Sequence, residues 1–181
     1  MRKFVYRTDE SFEGKPVRTF LQYMGYSAEI IKELKKGGLS VNGREAFTIQ
    51  PLGKNDVVET CFPDEVNDAP PSYNPEIRLI YSDKDIALMY KPPCVPTHQS
   101  IGHYEDTLAN RFAALFPSSR FRAVTRLDKN TSGLCLVALN KLSAAIMCRS
   151  RPTKLYYAAV KGNIPDYGTV SVPIRRESDS V

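Results

Sequence analysis

The triplet Arg126-Leu127-Asp128 stands in front of a polar turn, Lys129 to Gly133, and of the six-residue apolar run LCLVAL, residues 134–139. Such a run asks to be buried, so Asp128 sits at the mouth of a buried strand. Its surroundings in sequence are one-sided. Between Thr107 and Pro165 there are ten Lys and Arg residues and one acid, which is Asp128. Nearby cations favour the ionised form of a carboxylate. An ionised Asp suits the role of nucleophile or base and is a poor general acid. No second carboxylate stands close in sequence to share acid work, as a glycosidase pair would need. The competing reading is structural: Asp, Asn, Ser and Gly are ordinary turn formers, and DKNTSG could be a bend whose carboxylate is satisfied by local amides.

Other chemistries find little support. His98 and His103 lie in PTHQSIGHYED without a metal-ligand spacing, so no metal is expected. Serine-hydrolase and phosphate-loop patterns are absent, and Gly133 belongs to TSG alone. Cys61, Cys94, Cys135 and Cys148 form no C-x-x-C pair and read as small hydrophobes. No cofactor is indicated. The basic segment points to a polyanion partner, RNA or DNA, and DNA is disfavoured because no helix-turn-helix or zinc-finger pattern appears. No apolar run exceeds six residues, far short of the roughly 20 a membrane helix needs. The start, MRKFVYRTDE, lacks the apolar stretch of a secretory signal. The expectation is a cytoplasmic, monomeric protein with no membrane contact.

The elements that must position these residues fall into two units. The segment 62–76, FPDEVNDAPPSYNPE, is rich in proline and acid and reads as a linker. In the first unit, residues 12–61, Val17, Phe20, Leu21 and Met24 recur at helical spacing, and Ser27 can cap a second helix that buries Ile30, Ile31 and Leu34 and ends at Gly37-Gly38. LSVNGREAF predicts a hairpin around Asn42-Gly43, and DVVET a further strand. Arg18, Lys32, Lys35, Lys36 and Arg44 are left for the outside. The second unit, 77–181, predicts two strands around Ser82–Asp85, a helix capped by Asp106 or Thr107, the strand LCLVAL, the helix KLSAAIMCR, and the strands LYYAAV and TVSVPI. Regular βαβ alternation is missing, so the expected fold class is α+β.

Two resemblances add to this reading. RTFLQYMGYSAEIIKELKKGGLSVNG resembles the small RNA-binding module of a ribosomal small-subunit protein and of bacterial tyrosyl-tRNA synthetases, which lays its helix pair on structured RNA. RLDKNTSGLCLVAL, with IYSDKDIALMYKPPCVPTH before it and KLYYAAVKG after it, resembles the RluA-type pseudouridine synthases, and the linked module resembles their large-subunit ribosomal RNA subgroup. The resemblance implies the N-terminal part of a mixed, mainly antiparallel-sheet catalytic domain. It implies an isomerase that breaks the N-glycosidic bond of uridine, turns the uracil and rejoins it through carbon, with neither metal nor cofactor.

By this resemblance Asp128 is the catalytic aspartate, acting on the sugar or the base or removing a proton from the sugar. Arg126 holds open RNA from which the uridine has left its stack. Tyr156 stacks on the displaced uracil, with a core aromatic as the alternative for either it or Tyr157. Lys91 and Pro92 shape the pocket rim, and Lys91 contacts substrate RNA. Arg18, Lys35 and Lys36 contact RNA, either ribosomal or transfer RNA. Thr131, Ser132 and Gly133 form the turn that presents Asp128. Two departures stand out: Thr125 occupies the position before R-L-D where the family usually has histidine, and family members continue beyond RRESDSV with a basic segment whose arginine pairs with the aspartate. The expectation for the 181 residues is weak or no turnover with RNA binding retained. A noncatalytic RNA-binding or assembly protein on the same scaffold is the alternative.

Overall fold

The computed structural model describes residues 1–63, 65–163 and 165–173. It is an α+β protein with two four-stranded sheets. The first sheet contains β1 (Arg2–Arg7), β2 (Leu39–Val41), β3 (Arg44–Glu45) and β4 (Val57–Phe62) in the order β1-β4-β2-β3. Helices α1 (Val17–Tyr23) and α2 (Ala28–Leu34) cover it. The helical periodicity read from the sequence is the periodicity of burial: Val17, Phe20, Leu21, Ile30, Ile31 and Leu34 form one core with Leu39, Val41, Val58 and Phe62. Ser27 Oγ accepts a hydrogen bond from Ile30 N–H at 3.3 Å, as a helix cap does. Asn42 and Gly43 both have positive φ, 52° and 75°, which the two-residue hairpin between β2 and β3 requires. Strand β1 lies ahead of residue 12, where the sequence reading begins the first unit. Its Phe4 and Tyr6 pack on the core, and it pairs along its whole length with β4.

The second sheet contains β5 (Arg78–Ser82), β6 (Ile86–Lys91), β7 (Arg122–Ala123) and β8 (Gly133–Ala138) in the order β5-β6-β8-β7. All its pairs are antiparallel. Helix α3 (Leu108–Leu115) is capped by Thr107, whose hydroxyl accepts from Asn110 N–H while the Asn110 side chain accepts from Thr107 N–H. Leu108 and Phe112 join Ile77, Met89, Cys135 and Val137 in a second core. Helix α4 (Lys141–Ser150) follows β8 after the cap Asn140.

The proline-rich segment is tied along α3 rather than standing free. Asn67 donates to the carbonyls of Phe116 and Ser119 and accepts from Phe121 N–H. Asn110 Nδ2 donates to Pro70 O at 2.8 Å, and Ala69 and Ile77 are buried.

Two expected strands are not formed. LYYAAV, 155–160, and the described part of TVSVPI, 169–173, carry no strand pairing, and their side chains are exposed. Ile174, the last residue of the second pattern, lies outside the described residues, as do the arginines that follow it. A strand exists only against a partner that satisfies its backbone groups, and among the described residues these segments pair with none of the edge strands of the two sheets. For the same reason neither Tyr156 nor Tyr157 is a core aromatic.

Candidate active site

Asp128 is exposed and borders a cavity of about 490 Å³ lined by Thr97, His98, Ala123, Val124, Arg126, Leu127, Asp128 and Lys154. That volume is in the range of small-molecule sites. The Asp128 side chain accepts no hydrogen bond from the described residues, so the turn does not consume it as local capping would. The turn is closed by its backbone instead: Thr131 N–H donates to Asp128 O at 3.1 Å. Gly133 opens β8 at φ 138°, a conformation glycine adopts without strain. Behind it Cys135, Val137 and Ala138 are fully buried, which anchors the turn.

Two side chains fix this turn, one from the opposite loop and one from the end of β6. Thr97 Oγ1 donates to Leu127 O at 2.8 Å and accepts from Leu127 N–H at 3.4 Å. Lys91 lies beneath, at 0% exposure. Its ammonium donates to Val95 O at 2.7 Å and to Pro92 O and Lys129 O at 3.0 Å each. Three N–H groups thus meet three carbonyls, and the end of β6, the 92–95 loop and the Asp128 turn are joined at one point. Burial pulls the Lys91 ammonium below the usual lysine range, while Cys135, Cys94 and Asp128 act in the opposite sense. Lys91 is therefore not a rim residue reaching for substrate, as expected from the sequence. It holds the loop that holds Asp128.

Arg126 and His98 share the cavity with Asp128. Among the described residues no carboxylate pairs with Arg126. His98 was passed over in the sequence for want of a metal pattern. His98 keeps much of its surface in solvent, but its ring meets Phe121 edge to face with centroids 5.2 Å apart, and the partial desolvation of the ring first, then the charge of Arg126, lowers its pKa. Because residues 97 and 127 are hydrogen-bonded, the next residues along, His98 and Asp128, are held on facing loops. Beside them Lys129 Nζ donates to His103 Nε2 at 3.0 Å, and His103 Nδ1–H donates to Asp106 Oδ2 at 2.5 Å, the tautomer its partners require. His103 in turn holds the Asp106 carboxyl below the usual range. Thr125 serves the fold at this point, because its hydroxyl accepts Leu136 N–H at 2.9 Å where the backbone turns out of the sheet.

Tyr156 is not brought to the cavity. It is 57% exposed, and of its segment Lys154 alone lines the site. Arg18 is exposed on α1, and Lys35 and Lys36 are exposed in the turn that follows α2, away from Asp128 in the chain. Lys35 borders a groove with Phe47 and Ile49, which are 74% and 71% exposed. These two apolar residues escaped the sequence reading because a short irregular segment gives no periodicity to read. Among the described residues no cluster of His, Cys, Asp and Glu could hold a metal ion, and no helix is long and apolar enough to cross a membrane.

Asp128 thus stands on a turn held by buried polar contacts and lines an open cavity together with Arg126, His98 and Lys154. Comparison with known proteins gives the class. The sequence model of the family described as RNA pseudouridylate synthase matches residues 85–181, and the chain belongs to that family. The uncharacterized RNA pseudouridine synthase YjbO of Bacillus subtilis (strain 168) is 29% identical over 177 residues, covering 91% of this chain and 62% of that protein. The ribosomal large subunit pseudouridine synthase D of Pseudomonas aeruginosa (strain PAO1) is 36% identical over 110 residues, covering 56% of this chain and 34% of that protein. A solved structure of human RNA pseudouridylate synthase domain containing 1 aligns with TM-score 0.33 at 29% identity, over 44% of this chain and 30% of that one. The chain thus spans less than two thirds of these relatives.

Proposed function

We propose that the natural gene product carrying these residues converts specific uridines in RNA to pseudouridine, with Asp128 as the acting group and large-subunit ribosomal RNA as the substrate, transfer RNA being the alternative. The observation that carries this reading is the free Asp128 carboxylate on the wall of a cavity it shares with Arg126, His98 and Lys154. The names of relatives such as the Pseudomonas enzyme support ribosomal RNA over other polyanions.

In the reaction the bond from ribose C1′ to uracil N1 breaks, the uracil turns, C5 bonds to C1′, and the C5 proton leaves while N1 takes up a proton. An ionised carboxylate serves in any of three ways: attack on the sugar, attack on the base ring, or removal of a sugar proton. Arg126 and Lys154 offset the cost of extruding the uridine, a few kcal/mol for unstacking. Tyr156 reaches the base if the segment after Lys154 folds over the cavity once RNA fills it. On the other unit Arg18, Lys35 and Lys36 meet phosphates, and the exposed Phe47 gives a base a surface on which to stack.

The test is tritium release from RNA labelled at uridine C5. Asp128→Ala is expected to abolish release while leaving RNA affinity nearly unchanged. Release that survives the substitution ends this assignment. RNA binding without any pseudouridine from the unsubstituted gene product would favour the noncatalytic reading.

A further inference from the structure

One face of α4 does not belong to the sheet that precedes it. Leu142, 3% exposed, is part of the core formed by α1, α2 and the first sheet, and Ala145 packs on that same core. A Cβ on Gly25, at φ 93° after α1, would stand 2.7 Å from Ile146 Cγ1, so the backbone of the N-terminal unit approaches α4 closely at this point. Lys141 Nζ donates to both carboxylate oxygens of Glu33 on α2 at 2.7 Å, stands 3.6 Å from Glu65, and lies 5.1 Å from the centre of the Phe62 ring. Residues 141, 142, 145 and 146 fall on one side of a helix. At the head of the helix, Asp85 Oδ1 accepts from Asn140 Nδ2, Ser143 Oγ and, across the junction, Arg2 at 2.6 Å. Meanwhile α4 follows directly from β8, the strand that anchors the Asp128 turn.

Units joined by a small polar interface move relative to one another by default. Here the junction has a shared apolar core residue, a two-oxygen lysine pair on a largely buried lysine, and a glycine that admits a side chain against backbone. We infer that α4 is a spacer that fixes the N-terminal unit against the Asp128 cavity, so that RNA gripped by Arg18, Lys35 and Lys36 offers Asp128 a uridine at one set distance. Uridine choice then depends on Lys141, Leu142 and Ile146 as positioning residues, none of which touches the reacting atoms. The RNA part of this inference rests on the function proposed above; the rigid junction does not.

The test places spin labels at Phe47 and Ile101, the latter 94% exposed, with the exposed Cys94 and Cys148 changed to serine. Pulsed dipolar spectroscopy should give one narrow distance distribution. It should broaden in Lys141→Glu/Ile146→Lys, two changes at the junction surface. A broad distribution in the parent protein, or one equally narrow in the double variant, overturns the spacer. With deproteinised large-subunit RNA as the probe, the double variant should keep its affinity within about threefold but lose or scatter the pseudouridines the parent makes. An unchanged pseudouridine map alongside broadened distances overturns the selection role. These RNA measurements use the natural gene product, and absence of pseudouridine from its unsubstituted form, with distances as expected, counts against the proposed function and leaves the spacer standing.

Discussion

At the scale of single residues, Lys91 shows how a charged group contributes by being buried. Its three hydrogen bonds leave no capacity for a ligand, and removing it strands three carbonyls in a place water does not easily reach. Lys91→Met is expected to cost at least about 2 kcal/mol of stability in denaturant unfolding, since each buried polar group left unmade costs about 1–3 kcal/mol. A loss below about 0.5 kcal/mol would show the carbonyls to be satisfied otherwise. The position was legible in the sequence, by parity: Ala87, Met89 and Lys91 alternate with half-buried residues along β6 and share its buried face. The rim reading of Lys91 follows from the family resemblance, which matches the strand-end pair Lys91-Pro92 and carries no information on register. His98 makes the second prediction. Its pKa in the folded protein lies below the unfolded value, so on acidification the unfolded chain takes up the proton first and stability falls as pH drops through the usual histidine range. His98→Gln should therefore flatten the decline in melting temperature between about pH 7 and pH 5, the interval below the ordinary histidine pKa. An unaltered slope would mean that His98 titrates as it does in the unfolded chain.

At the scale of elements, the helices and hairpins were readable because each carries its own signal: apolar spacing, a cap, an Asn-Gly pair. Strands were readable less evenly: LCLVAL and DVVET form β8 and β4 although their partners lie far off in sequence, whereas LYYAAV and the described part of TVSVPI form none. LYYAAV is an unbroken apolar run and TVSVPI alternates, both patterns that strands show, yet pairing is a property of two segments and the pattern reports one. Strand β1 has a weak pattern of its own, since RKFVYR holds three basic residues, and it gains its place by pairing with β4 and packing Phe4 and Tyr6 on the core. Thr125 is a case where resemblance pointed to a functional position and the fold assigns a structural duty. Thr125→Val keeps the shape and removes the acceptor for Leu136 N–H, so stability should fall by about 1–3 kcal/mol. The amide of Leu136 should also exchange faster with solvent. Protection equal to that of the parent would show that the hydroxyl does not hold this corner.

At the scale of the whole molecule, a run of basic residues in sequence is not a basic surface. Arg120 pairs with Asp68 and Arg122 with Glu65, both at 2.5 Å, and Lys141 with Glu33, so acids from outside the run neutralise three of its cations. Sequence counting could not see this, because the acids come from the proline-rich segment and from α2. What remains near Asp128 is a smaller group, Arg126, Lys129 and Lys154, and a separate one on the helix pair. Lys35→Gln and Lys36→Gln should each weaken RNA binding across sequences and reduce the slope of log affinity against log salt by about one, as expected for a phosphate contact. An unchanged slope would place that lysine off the RNA.

The most direct measurement is turnover at saturating RNA by the natural gene product with Asp128→Asn, which keeps the size of the side chain and removes its charge. The account predicts that pseudouridine formation per bound RNA drops by on the order of 10³-fold or more, the scale expected when an acting base or nucleophile is lost, with RNA affinity held. Turnover within about tenfold of the parent would leave less than about 1.4 kcal/mol of barrier to Asp128 and would contradict the account.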